Sequence, residues 1–104
     1  MKNLVSVIIT TKNRKELLTR AINSVLSQSY SDIELIVIDD GSTDGTIEYL
    51  VQNNIKFFKG EGKGGNHARN LGIKNAIGDY VAFLDDDDYW SPLKIELQMR
   101  LLQE

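Results

Sequence analysis

A run of β-branched and aliphatic residues, Leu4-Val5-Ser6-Val7-Ile8-Ile9-Thr10, is followed within a few residues by a segment whose apolar positions recur at helical spacing. A strand apolar on both sides must be covered on both sides, which is the condition inside a parallel sheet flanked by helices. The helical segment places Leu17, Leu18, Ala21, Ile22, Val25 and Leu26 on one face. Asn13 and Glu16 ahead of it have the spacing of an N-cap and its capping-box partner.

The alternation then repeats. Residues 33–38 read as a second strand and 39–45 as a turn-rich loop. A short helix over 46–52 carries Ile47, Leu50 and Val51 inward, and 55–59 read as a weak third strand. A loop with four glycines, residues 60–65, leads to a helix over 66–76, with Gly78 as its stop. Residues 80–84 form a fourth strand. Pro92 fits the first turn of a last helix, whose apolar residues are Leu93, Ile95, Leu97, Leu101 and Leu102. This order implies an α/β fold: an open, mainly parallel sheet of about four strands with helices on both faces. The expected strand order is 3-2-1-4, which puts a topological switch point beside the first strand.

The 104 residues suffice for one small domain, and no linker or repeat divides residues 1–104. The pattern over residues 100–104 reads as an amphipathic helix cut short, so a fragment from the N-terminal part of a longer protein is expected. A net charge of −3 argues against nucleic-acid binding. The absence of cysteine excludes disulfides and thiolate metal sites, and His67, the one histidine, excludes a multi-histidine site within this chain. No apolar stretch reaches the length of a membrane span, and the N-terminus runs directly into a strand, so a cytoplasmic protein is expected.

Two acidic groups follow strands. Asp39 and Asp40 close the second, and Asp85, Asp86, Asp87 and Asp88 close the fourth. In a parallel sheet both would converge on the carboxyl edge, where ligands bind. Four adjacent carboxylates repel one another, and a hard cation such as Mg²⁺ or Mn²⁺ relieves that repulsion. The bland reading of any Asp pair is a solvated turn or helix start. It weakens here because both groups follow strands and the second holds more acid than a cap requires. Gly60, Gly62 and Gly65 satisfy the spacing of a dinucleotide-binding loop. The preceding strand is short and half polar, however, and an acid embedded in a four-carboxylate run has no place in that scheme. Arg14, Lys15 and Glu16 read as a solvated helix start, Tyr89 and Trp90 as packing residues, and Gly72 as a point of close approach to the sheet.

The ordered series Val5-Ser-Val-Ile-Ile-Thr10, Asn13-Arg14, Ser27-Gln28-Ser-Tyr30, Val37-Ile-Asp-Asp-Gly-Ser-Thr-Asp-Gly45, Ala68-Arg-Asn-Leu-Gly72, Gly78-Asp-Tyr80 and Phe83-Leu-Asp-Asp-Asp-Asp88 resembles the nucleotide-sugar-binding half of family 2 glycosyltransferases, which have the fold called GT-A. The resemblance covers almost the whole chain. It implies metal-dependent, inverting transfer of a sugar from a nucleoside-diphosphate sugar, of which a UDP-sugar is expected, to an acceptor hydroxyl. By resemblance, Asp40 accepts the N3–H of a uracil-like base and Asp39 supports its loop. Thr10 and Lys12 line the nucleotide pocket, and Arg69 stands near the diphosphate or orders the glycine loop. Asp85-x-Asp87 matches the D-x-D motif, which implies both acids for the Mn²⁺ or Mg²⁺ site, with Asp87 as the direct ligand and Asp85 nearer the ribose or sugar. Asp86, at the variable middle position, belongs to the nucleotide-sugar-binding set, and Asp88 lies behind the ligands. The catalytic base and the acceptor site, for a carbohydrate or lipid-linked acceptor, are expected beyond Glu104. Peripheral membrane association through regions outside this chain, at the inner face of the cell membrane, and homodimer formation are left open. The competing readings are an NAD-binding or nucleotidyltransferase-like domain and a non-catalytic nucleotide-binding module.

Overall fold

The computed structural model describes residues 3–102. Its elements run β1 (Val5–Thr11), α1 (Lys15–Leu26), β2 (Ile33–Asp39), α2 (Thr46–Gln52), β3 (Phe57–Lys59), α3 (Gly65–Asn75), β4 (Tyr80–Phe83) and α4 (Lys94–Leu102). All pairings are parallel and the order is β3-β2-β1-β4, as expected. Thr11 is in register with Asp39, so β1 and β2 end level with each other.

The period of two along β1 divides the core. Val5, Val7 and Ile9 face α1 and pack with Leu18, Ala21, Ile22 and Val25, joined by Leu50 of α2 and by Ile95 and Met99 of α4. Ile8 faces the other way and packs with Ile36, Ile38 and Ala68 of α3. Helices therefore lie on both faces. The buried stripe of α1 keeps the 3.6-residue period but is narrower than the sequence implies. Leu17 and Leu26 flank it and stay exposed, as does Val51 on α2. On α4 the inward pair is Ile95 and Met99, four residues apart, whereas Leu97, Leu101 and Leu102 stay exposed, as does Leu93 just before the helix.

Several local expectations change. Asn13 does not cap α1, because it adopts φ +53 and its side-chain carbonyl accepts the Thr43 N–H at 2.7 Å. Asp44 takes over the capping from a neighbouring loop. Its Oδ2 accepts the Lys15 N–H of α1 at 3.1 Å, while its Oδ1 accepts the Thr46 N–H of α2 at 3.2 Å. Pro92 precedes α4 rather than opening it, and its carbonyl accepts the Ser29 N–H at 2.9 Å. Gly78 does not terminate α3, which ends three residues earlier at Asn75; it lies against β1 instead. Gly72 does make the expected close approach: a Cβ there would stand 2.6 Å from Ile8 Cγ2.

Asp44 ties two helix starts together, and this gives a pH prediction. Hydrogen bonds from Thr46 and Lys15, the Thr46 hydroxyl first, hold its carboxyl below its ordinary 3.8 against some desolvation. Glu34 is also lowered. Burial alone would raise it, but bonds from Lys56, Ser6 and the Ile77 N–H outweigh that. A carboxylate lowered in the fold contributes stability that is present above its unfolded pKa and lost as pH falls through the folded one. We expect Asp44→Ala to destabilise the protein by about 1–2 kcal/mol at neutral pH, the usual cost of a lost cap. Urea unfolding at pH 7 and at pH 3 measures it, and the difference between parent and variant should shrink at the lower pH.

Candidate nucleotide-sugar site

The two acidic groups meet through one residue. Thr11 closes β1 at the switch point; its carbonyl accepts the Asp40 N–H at 2.9 Å and its hydroxyl donates to Asp86 Oδ2 at 2.9 Å. An open cleft of about 420 Å³ lies over this junction, lined by Thr10, Thr11, Lys12, Arg14, Asp40, Gly64, Gly65, Ala68 and Asp86. A larger concavity of about 530 Å³ runs past Val25, Tyr30, Ile33 and Ile55. It is reached from the start of β2 rather than its end and contains neither acidic group, so position and chemistry favour the smaller cleft.

One wall is the glycine loop. Asp40 accepts the N–H of Gly62 at 2.8 Å on Oδ1 and of Gly64 at 3.2 Å on Oδ2. Gly62 and Gly64 have φ +72 and +97, the left-handed region that glycine enters without strain. Gly60 must lack a Cβ because one would collide with the Asp40 carboxylate. The dinucleotide-like spacing of this loop therefore serves Asp40: two amides that could have cradled a pyrophosphate are bonded to a side chain. Asp40 retains further lone pairs toward the cleft. Asp39 is 1 % exposed; Oδ2 accepts the Ser42 N–H at 3.1 Å, and Oδ1 is buried without a hydrogen-bond partner among the described residues. Asp39 thus ties the start of the loop after β2 through the Ser42 amide. Arg69 lies at the end of the glycine loop, bonded to Asn66 Oδ1 at 3.0 Å. Truncating Asp40 to Ala should release the loop. Hydrogen exchange at the Gly62 and Gly64 amides is expected to accelerate at least about tenfold, with little change in the β1 and β2 amides.

The opposite wall is the acidic turn. Past the end of β4, Leu84 is buried, Asp85 exposed, Asp86 buried and Asp87 exposed. The Asp88 N–H then closes the turn on the Asp85 carbonyl at 3.0 Å. Asp86 is the anchored member of the run. Its second oxygen accepts from Arg14 at 3.1 Å, and the same Arg14 nitrogen lies 3.5 Å from Asp87 Oδ2. Arg20 donates to the Asp87 carbonyl at 3.1 Å and stacks over the Tyr89 ring. Arg14 is thus an ion-pair partner as well as a half-exposed residue at the start of α1. Sequence reasoning passed over it and Thr11; the signal available was Arg14's place directly after the β1 loop, level with the acids. Asp85 is exposed, and no group of three or more His, Asp or Glu side chains converges as a metal cage among the described residues.

The description "Glycosyl transferase family 2" matches residues 6–104. The chain belongs to that family. It is 46 % identical over 104 residues to the uncharacterized glycosyltransferase RC0461 of Rickettsia conorii, covering 96 % of this chain and 17 % of that protein. It is 42 % identical over 104 residues to the UDP-Glc:alpha-D-GlcNAc-diphosphoundecaprenol beta-1,3-glucosyltransferase WfaP of Escherichia coli, covering 96 % of this chain and 41 % of WfaP. The chain therefore spans less than half the length of these relatives. Among solved structures it resembles S. aureus TarS 1-349 in complex with UDP-GlcNAc, with a TM-score of 0.86 and 30 % identity over 96 % of this chain and 31 % of that one. It also resembles glucosyl-3-phosphoglycerate synthase of Mycobacterium tuberculosis in complex with Mn²⁺, UDP and glucosyl-3-phosphoglycerate, with a TM-score of 0.76 and 26 % identity over 96 % and 39 % of the two chains. The sequence resemblance and the GT-A architecture hold.

Proposed function

We propose that this chain is the donor-binding part of a glycosyltransferase that transfers a sugar, with inversion, from a UDP-sugar to an acceptor hydroxyl. The observation that carries the reading is Thr11, which joins the two acidic groups at the switch point beneath an open cleft lined by Lys12, Arg14, Asp40 and Asp86. A neighbour with 30 % identity holds UDP-GlcNAc, and one with 26 % holds UDP and Mn²⁺. Asp40 presents its free lone pairs to the base while its bonded oxygens fix the glycine loop. Asp39 braces that corner, Thr10 and Lys12 line the floor, and Arg69 orders the end of the loop. Asp86, pinned by Thr11 and Arg14, sets the height of the acidic turn. Asp87 and Asp85 are then the carboxylates offered to the diphosphate side of the donor.

The donor set fits Mn²⁺ or Mg²⁺. Such ions are commonly held by one or two carboxylates together with substrate phosphates, so no protein cage is needed. Asp87 is 57 % exposed at its side chain and Asp85 is exposed, which suits a shared site. When bound, the cation offsets the charge that develops on the departing nucleoside diphosphate. The base that deprotonates the acceptor lies on our reading outside these residues, and so does the site for a carbohydrate or lipid-linked acceptor. Among the described residues no helix is long and apolar enough to cross a membrane. A cytoplasmic location, at the inner membrane face when the acceptor is lipid-linked, accords with this reading.

Titration calorimetry of the purified protein with UDP, with and without Mn²⁺, and with NAD tests the proposal. UDP binding strengthened by Mn²⁺ supports it; NAD bound more tightly than UDP in the absence of metal would overturn it.

A further inference from the structure

Arg14 is the cation paired with the carboxylates of the acidic turn, and its contacts are unequal. One guanidinium nitrogen lies 3.1 Å from Asp86 Oδ1 and 3.5 Å from Asp87 Oδ2. Thr11 already satisfies the other oxygen of Asp86, which is 8 % exposed. Asp86 is thus fully engaged, whereas Asp87 keeps most of its coordinating capacity but feels a fixed positive charge. Arg20 reaches the same turn at the Asp87 carbonyl, so its contact fixes backbone rather than carboxylate. The remaining aspartates of the turn, Asp85 and Asp88, have no cationic partner within ion-pair distance among the described residues.

From this geometry we propose that Arg14 is a positioning residue that acts as a built-in counter-ion: it weakens binding of a divalent cation to the acidic turn alone, so that the cation is taken up together with the diphosphate. The inference rests on the reading of Asp87 as the metal-facing carboxylate. A guanidinium this close opposes an incoming cation directly and lies beside one Asp87 oxygen. Two unit charges about 4 Å apart interact by roughly 1 kcal/mol even at the dielectric of water. Removing Arg14 should therefore raise the affinity for free Mn²⁺ about three- to tenfold. A cation already bound to a diphosphate carries no net excess of positive charge, so its uptake should respond much less.

The test is a Mn²⁺ titration without nucleotide, read from the electron paramagnetic resonance signal of free Mn²⁺, on the parent, Arg14→Gln and Arg14→Lys. UDP titrations with and without Mn²⁺ run alongside. Arg14 is half exposed, and Arg14→Met serves as a second neutral variant should glutamine disturb the fold. The expected result is tighter Mn²⁺ binding by Arg14→Gln, parent-like binding by Arg14→Lys, and a smaller change for UDP with Mn²⁺. Unchanged or weaker Mn²⁺ binding by the neutral variants overturns the proposal, as does the absence of binding in every chain at millimolar Mn²⁺. If UDP binding by the parent ignores the metal while the neutral variants still gain Mn²⁺ affinity, the donor-site reading fails and the counter-ion role of Arg14 stands.

Discussion

Asp87→Asn is expected to remove most of the gain that Mn²⁺ gives to UDP binding. The substitution keeps the shape of the side chain and removes its charge. It leaves Asp86, with its bonds to Thr11 and Arg14, in place, so the turn should hold its position. Losing a residue that only supports a metal ligand typically costs roughly 10–100-fold in metal affinity. A direct ligand should cost at least about tenfold in UDP affinity at saturating Mn²⁺, and next to nothing without metal. Calorimetry on parent and variant under both conditions measures this. A variant that responds to Mn²⁺ as the parent does would move the cation away from Asp87.

The second large effect is on stability. At Gly78 an added Cβ would stand 2.5 Å from Ser6 Oγ and 2.8 Å from both the Leu4 carbonyl and the Ser6 nitrogen. Two of those neighbours are backbone of the central region of the sheet and cannot turn aside. The Gly78 N–H also donates to Ser6 Oγ at 2.9 Å, and Ser6 donates to Glu34 Oε1 at 2.6 Å, so movement there breaks a partly buried chain of bonds. Gly78→Val should cost about 3 kcal/mol, at the upper end of the overpacking range. For a domain of this size that lowers Tm by roughly 12–24 °C. Differential scanning calorimetry checks it; a shift below about 4 °C would show that β4 moves away from β1 with ease.

The architecture was legible because the strongest signals were periodic. The apolar run of β1 and the 3.6-residue stripe of α1 specify their elements without reference to anything distant, and strand-helix alternation then leaves few topologies. What escaped were interactions between segments remote in sequence. Asn13 and Glu16 have capping-box spacing, yet Asp44, about thirty residues away, caps α1 instead. Gly78 looked like a helix stop because the pressure on it comes from β1. The same holds at the site. The acids after β2 and β4 were recognisable from their positions at strand ends. That Asp40 would bind the glycine loop, and that Asp86 would be the buried member of its run, depends on contacts across 22 and 75 residues of chain. Arg14 was passed over for the same reason: a charged residue before a helix reads as solvated until the opposite loop is placed.

The central claim is that donor binding occurs in the cleft between the glycine loop and the acidic turn. Amide chemical-shift mapping of the labelled protein with UDP and Mg²⁺ tests it most directly. The account predicts that the affected amides cluster at Thr10–Arg14, Asp39–Ser42, Gly60–Asn66 and Asp85–Asp88, with the region around Val25, Tyr30, Ile33 and Ile55 undisturbed. Shifts concentrated in that second region, with the amides of the two acidic groups unmoved, would contradict it.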